Sequence, residues 1–87
     1  MTCAHLEATV GAHPPARTSG CEECLAMGET WVHLRQCLAC GHLGCCNSSK
    51  NKHAAAHFLA TGHPVIRSFE PGETWRWCYV DRQGEEV

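Results

Sequence analysis

The chain has 87 residues, of which 8 are Cys and 7 are His, and its formal net charge is −2. A chain of this length buries only about 60% of the surface that its unfolded form exposes, so we expect one domain, residues 1–87, with a small apolar core. The size excludes a multidomain machine, a large α/β enzyme and a long repeat array. The two lysines and five arginines form no basic stripe, which argues against a nucleic-acid partner.

The cysteines have two possible roles, as disulfides or as metal ligands. The N-terminal residues 1–7 show no basic segment followed by an apolar run, so we expect no secretory signal and a cytoplasmic location. No stretch approaches the roughly 18 consecutive apolar residues of a membrane span, so we expect no membrane contact. Four disulfides would need an oxidising compartment and would leave 7 histidines without a role. The composition therefore favours metal binding.

The predicted elements are few and short. Two prolines and a Ser-Gly pair predict a loop over residues 12–20. Period-2 alternation predicts a strand over residues 30–36. Ser48 or Ser49 is a candidate cap for a helix that ends at Gly62. The rest of the chain predicts a strand, a turn and a last strand, over 64–69, 70–73 and 74–80.

Two Cys-x-x-Cys motifs carry the clearest chemical signal. They are Cys21–Cys24 and Cys37–Cys40, and this spacing lets a tight turn direct two thiolates at one tetrahedral ion. A thioredoxin-like redox pair would need a βαβ context, and none precedes either motif. Four more candidate ligands follow within the next stretch of chain, namely Cys45, His53, His57 and His63. Eight ligands suffice for two zinc ions, but the spacing leaves open whether His53 and His57, four residues apart on one helical face, share an ion.

The ordered series of ligands, followed by Trp77-Cys78-Tyr79, resembles the UBP-type zinc finger of ubiquitin-specific proteases and related deacetylases. The resemblance implies a small zinc-stabilised α+β domain, with a short antiparallel sheet packed on one main helix. It also implies two interleaved zinc sites. The first would consist of Cys21, Cys24, Cys45 and His53, and the second of Cys37, Cys40, His57 and His63.

A third zinc is also implied by the resemblance. Members with several zinc ions join an N-terminal Cys-x-His to a late Cys-x-x-Cys, and here Cys3 and His5 match the first pair. In the second pair Cys78 is present, whereas Asp81 stands where the family has Cys. A carboxylate oxygen is an acceptable zinc ligand, so we expect these four residues to form a third site. The alternative is that Cys3 and His5 lie on a loose terminus and Asp81 begins a turn.

The resemblance further implies a pocket that holds a free C-terminal Gly-Gly tail, as of ubiquitin. Trp77 and Tyr79 stand at the matching aromatic positions, while Asn47 replaces the family's Arg. We hypothesise that Arg35 supplies the missing positive charge from another wall. The alternative is that the aromatic side chains of the last strand pack on the helix.

We expect no enzyme activity. Closed four-ligand sites leave no position for a reacting water, and Ala54 stands where the helix of a metalloprotease carries its Glu base. The leading prediction is a zinc-stabilised module that binds a protein or peptide C-terminus. The alternatives are a thiol or zinc sensor centred on Cys46 and a purely structural zinc domain with another protein partner. Of the other histidines, we interpret His13 and His33 as surface or packing residues. At His42 we expect the backbone N–H groups of the motif to matter more than the side chain, with a ligand role only as the alternative.

Overall fold

The computed structural model describes residues 3–9 and 14–86, so His13 and the first part of the predicted loop lie outside the described residues. The described elements, in chain order, are the helices and strands α1 (Ala4–Ala8), α2 (Glu22–Met27), β1 (Leu34–Cys37), β2 (Leu43–Cys45), α3 (His53–Thr61), β3 (Val65–Ser68), β4 (Trp75–Cys78) and β5 (Gln83–Glu86). The strands form one antiparallel sheet in the order β2-β1-β3-β4-β5. The predicted α+β class is confirmed. Among the described helices, none has the length and apolar character to cross a membrane.

Strand β1 is shorter than the predicted strand over 30–36, because it begins only at Leu34. The backbone just N-terminal to β1 forms a hydrogen bond with a side chain instead of a neighbouring strand. The N–H of Val32 donates to Ser49 Oγ at 2.9 Å. Strand β2, which the sequence pattern did not predict, returns the chain beside β1. The resulting hairpin carries the second Cys-x-x-Cys motif, with Cys37 as the last residue of β1.

Helix α3 begins at His53, so the predicted cap at Ser48 or Ser49 is wrong. Lys52 has φ of 51°, in the left-handed region, and a right-handed helix cannot extend back through it. The predicted end at Gly62 is confirmed. This residue has φ of 76°, and its N–H closes the last turn of the helix at 2.7 Å.

Strand β2 packs closely under α3 at Gly44. A Cβ at this position would lie 2.6 Å from the backbone nitrogen of Ala54, so only glycine allows the approach. The close packing brings Cys45, the next residue of β2, beside His53, the first residue of α3.

The predicted C-terminal strands over 64–69 and 74–80 are observed as β3 and β4, each a little shorter. The turn between them is closed by a hydrogen bond from the N–H of Glu73 to the carbonyl of Glu70 at 3.2 Å. The chain after β4 forms β5 and pairs with β4. The sequence pattern predicted neither β5 nor the short helices α1 and α2.

The two faces of β4 have different neighbours. Arg76 and Cys78 are buried on the face that α1 covers. Leu6 of α1 is 3% exposed there, and its carbonyl accepts a hydrogen bond from Arg76 Nη1 at 3.2 Å. Trp75 and Trp77 are half-buried on the opposite face. Helix α1 and the two tryptophans therefore lie on opposite sides of this part of the sheet.

Candidate metal centres and an adjoining pocket

Cluster 1 consists of Cys21, Cys24, Cys45 and His53, whose ligand atoms all lie within 4.8 Å of one another. The Nδ1 of His53 lies 3.2, 3.4 and 3.5 Å from the three sulfurs, and the sulfurs of Cys24 and Cys45 are 4.0 Å apart. Tetrahedral zinc, with Zn–S of about 2.3 Å and Zn–N of about 2.0–2.1 Å, requires about 3.6 Å between sulfur and nitrogen and about 3.8 Å between sulfurs. The donor types and spacings of cluster 1 therefore fit zinc.

Cluster 2 consists of Cys37, Cys40, His57 and His63. Its sulfur-to-nitrogen distances are 3.5 Å from Cys37 to His63 Nδ1 and 3.4 Å from Cys40 to His57 Nε2. The two imidazole nitrogens are 3.4 Å apart, which is about the separation of two nitrogens on one tetrahedral zinc. Cluster 2 also fits zinc.

Clusters 1 and 2 interleave along the chain, as the resemblance implied. The first Cys-x-x-Cys motif opens α2 and belongs to cluster 1, whereas the second closes β1 and belongs to cluster 2. His53 and His57 are one turn apart on α3, yet they belong to different clusters. Each cluster therefore ties segments that are distant in sequence, and α3 contributes to both.

Cluster 3 consists of Cys3, His5, Cys78 and Asp81. The Nδ1 of His5 lies 3.6 Å from Cys78 Sγ and 3.2 Å from Asp81 Oδ2, while the Cys3 thiol donates to the same carboxylate oxygen at 2.8 Å. Cys3 is 4% exposed and Cys78 is fully buried, so Cys3 is packed against the end of β4 and does not lie on a loose terminus. Two thiols, an imidazole and a carboxylate are an acceptable zinc donor set.

The ionisation of the clustered groups follows from their surroundings. Burial raises the pKa of the Cys21 thiol to about 12, and burial also raises the pKa of Cys37. A nearby cation reverses this preference, because a coordinating thiol gives up its proton. In cluster 3 the hydrogen bonds from Cys3 and then from His5 lower the pKa of Asp81, which keeps the carboxylate ionised.

His42 belongs to none of the three clusters, so the alternative of a ligand role has no support in the geometry. It is 4% exposed, and its ring stacks on that of His57 with centroids 4.0 Å apart and planes 4° from parallel. Its Nε2 lies 2.8 Å from both carboxylate oxygens of Glu23, inside the first Cys-x-x-Cys motif. This contact links the chain at cluster 1 to a ring of cluster 2, and no spacing rule in the sequence indicates it.

A cavity of about 340 Å³ opens on the tryptophan face of β4 and is called here the Arg35 pocket. Its lining includes all four candidate ligand-binding residues of the sequence analysis. The full set is Arg35, Cys46, Asn47, Ser48, Ile66, Trp75, Trp77 and Tyr79.

The aromatic residues of β4, and Tyr79 just after it, all line the pocket, and some of them also pack on other parts of the fold. The ring of Tyr79 stacks on Phe58 of α3 with centroids 4.9 Å apart, and burial raises the pKa of its hydroxyl to about 12. The guanidinium of Arg35 lies 4.5 Å from the ring centroid of Trp75, within the range of a cation–π contact. Tyr79 therefore contacts the main helix and also lines the pocket. Trp77 lines the pocket as well.

Cys46 lies in the pocket wall and in none of the three clusters. It is 6% exposed, and its sulfur is 3.6 Å from Ser49 Oγ. Burial works against ionisation of the thiol, but hydrogen bonds from Ser49 and from the backbone of Ser48 outweigh it and lower the pKa to about 7. The sensor role of Cys46 remains a prediction.

Comparison with known proteins gives a family and a structural match. A family model described as "Zn-finger in ubiquitin-hydrolases and other protein" matches residues 21–86. The NAD-dependent deacetylase sir2A of Dictyostelium discoideum is 36% identical over 60 residues, which make up 69% of this chain and 10% of that protein. The chain thus spans about a tenth of the length of this curated relative. The solution NMR structure of protein RPA1320 from Rhodopseudomonas palustris has a TM-score of 0.86 and 49% identity, and the match covers 100% of this chain and 83% of that one.

Proposed function

The chain belongs to the family of zinc fingers found in ubiquitin hydrolases and other proteins, and we propose that it is a non-catalytic module that binds a free peptide C-terminus in the Arg35 pocket. In this proposal each of clusters 1, 2 and 3 holds one zinc ion, and the three ions stabilise the fold. The single observation that carries the proposal is a guanidinium fixed at the wall of an aromatic-lined cavity.

The donor count supports a structural role for the zinc sites. Each cluster offers four ligand atoms, which fill the four positions of a tetrahedral ion. A catalytic zinc keeps one of these positions for water or substrate. The apparent binding free energy of a structural zinc is about 10–16 kcal/mol, as large as the whole stability of a small domain.

The chemistry of the pocket supports a carboxylate ligand. The Arg35 side chain is 14% exposed, so a ligand carboxylate that binds to it must lose much of its hydration shell. A charge-assisted hydrogen bond to a guanidinium offsets that loss better than a neutral one. The flat faces of Trp75 and Trp77 offer apolar contact to the backbone of a narrow tail, while Asn47 supplies polar groups at the rim.

The proposal is tested by NMR titration with a hexapeptide that ends in Gly-Gly, once with a free carboxylate and once as the C-terminal amide. We expect the free acid to shift the indole N–H signal of Trp77 at concentrations where the amide does not. Arg35→Gln removes the charge and should weaken binding of the acid at least about ten-fold, since hydrogen bonds between charged groups are worth about 1.5–3 kcal/mol.

Arg17→Gln is the matched control, because it removes the same charge from an exposed ion pair with Glu22, outside the pocket. This control should bind the acid as the wild type does. Equal binding of acid and amide by the wild-type protein would contradict the proposal.

A further inference from the structure

Glu73 holds a carboxylate beside the one guanidinium of the Arg35 pocket. Its Oε1 lies 3.7 Å from Arg35 Nη1. Ser68 Oγ donates a hydrogen bond to the same oxygen. The turn between β3 and β4 thus presents an internal carboxylate to the group that we assign to the ligand's carboxylate.

Arg35 has two further contacts that do not involve Glu73. The guanidinium is stacked on Trp75, and its Nη1 donates to the backbone carbonyl of Leu34 at 3.0 Å. We expect both contacts to remain when the charge of Glu73 is removed. The main effect of Glu73 on the pocket is therefore electrostatic.

We infer that Glu73 is a specificity-determining residue that weakens the attraction of the Arg35 pocket for carboxylates. The inference rests on the proposed function. A ligand carboxylate and the Glu73 carboxylate share one positive charge and repel each other, with a strength that solvent reduces because the Glu73 side chain is 41% exposed.

The consequence is selectivity for the whole tail. With its charge partly neutralised by Glu73, Arg35 attracts a carboxylate too weakly to hold it alone. Only a ligand that also contacts the aromatic wall of the pocket, such as Trp77, then binds firmly. Removal of the Glu73 charge should raise affinity for the free acid and leave affinity for the amide unchanged.

The experiment measures dissociation constants of the same Gly-Gly hexapeptide, as acid and as amide, for the wild type, Glu73→Gln, Arg35→Gln and the double variant. We expect Glu73→Gln to bind the acid about two- to five-fold more tightly, the range of coupling in exposed ion pairs. The amide oxygen of Gln still accepts the hydrogen bond from Ser68, so the turn should be kept, and the zinc content of the variant verifies the fold. In the Arg35→Gln background, Glu73→Gln should cause a smaller gain in carboxylate preference, because only the direct repulsion between the two carboxylates is then removed and the shared guanidinium is absent.

Glu7→Gln is the control for net charge, since Glu7 lies on α1, on the opposite side of the sheet from the pocket. It should leave both dissociation constants unchanged. If the wild type prefers the acid and Glu73→Gln binds it equally or more weakly, the inference is overturned while the proposed function stands. If neither protein distinguishes acid from amide, the proposed function fails and the inference fails with it.

Discussion

Clusters 1 and 3 differ in donors, burial and attachment, although both combine thiols with an imidazole. Cluster 1 has three fully buried cysteines and draws its ligands from α2, β2 and α3. Cluster 3 has two buried cysteines, and its His5 and Asp81 side chains are 41% and 39% exposed. Zinc favours soft thiolates, and exposure gives water access to a site. We therefore expect the whole fold to depend on cluster 1, whereas cluster 3 attaches helix α1 to the end of β4.

The largest effect should follow from the loss of a ligand in cluster 1. Cys24→Ser removes a buried thiolate that joins α2 to the rest of the domain. Because a structural zinc contributes about 10–16 kcal/mol, we expect the variant to lose its cooperative fold. Dispersion of the amide NMR spectrum measures this directly.

Cys46→Ser is the matched control, since it changes a buried cysteine next to Cys45 that belongs to no cluster. We expect it to keep its zinc and to lose only about 1–2 kcal/mol of stability. A folded Cys24→Ser variant with the full zinc content would contradict the prediction that the fold depends on cluster 1.

A smaller and local effect should follow from the loss of a ligand in cluster 3. Asp81→Ala should release one zinc and leave the sheet intact. The amides of α1 should then exchange hydrogen faster than in the wild type, because the described contacts that remain are the packing of Cys3 and Leu6 and the hydrogen bonds from Arg76 to Leu6 and Thr9. Hydrogen exchange by mass spectrometry measures the two regions separately.

Asp81→Cys should act in the opposite direction and slow the release of this zinc, since it adds a third thiolate. Unchanged exchange in α1 after Asp81→Ala would show that the helix is held without zinc. Loss of protection throughout β1, β3 and β4 would show that cluster 3 supports the whole fold.

The smallest effect concerns the support of cluster 2. His42→Phe keeps a ring stacked on His57 but loses the contact with Glu23. Partners that orient a ligand typically change metal affinity about 10–100-fold, so we expect about ten-fold faster release of one zinc to a chromogenic chelator. Glu29→Gln, which removes an exposed partner of Lys50, should release zinc at the wild-type rate. Equal rates for His42→Phe and wild type would leave His42 as a packing residue.

The core metal-binding residues stood out in the sequence because their Cys and His side chains follow one another at metal-ligand spacing, and the structure brings them together in clusters 1 and 2. Spacing alone left open whether His53 and His57 share one ion, and their division between two sites was implied only by the resemblance to a family. In the structure, Gly44 brings β2 so close to α3 that His53 meets Cys45. Periodicity contains no information about such an approach.

The elements were predicted where local rules dominate and missed where tertiary contacts do. Gly62 ends α3 because its left-handed backbone suits glycine. The cap at Ser49 was wrong, because its hydroxyl accepts a hydrogen bond from the backbone of Val32. Helix α2 was missed because its cap is the thiol of Cys21, which accepts from the N–H of Cys24, and thiols are not among the usual capping groups. Long-range pairs such as Arg35 with Glu73 leave no local pattern in the sequence.

The measurement that tests the central claim most directly is native mass spectrometry of the zinc-loaded protein during stepwise addition of a chelator. We expect three bound zinc ions at the start. A two-zinc species should then keep the compact charge distribution of the folded domain, and unfolding should occur only when a further ion leaves. A protein that saturates at two zinc ions, or that unfolds with loss of the first, would contradict the division between the sites of the core and the site that fastens α1.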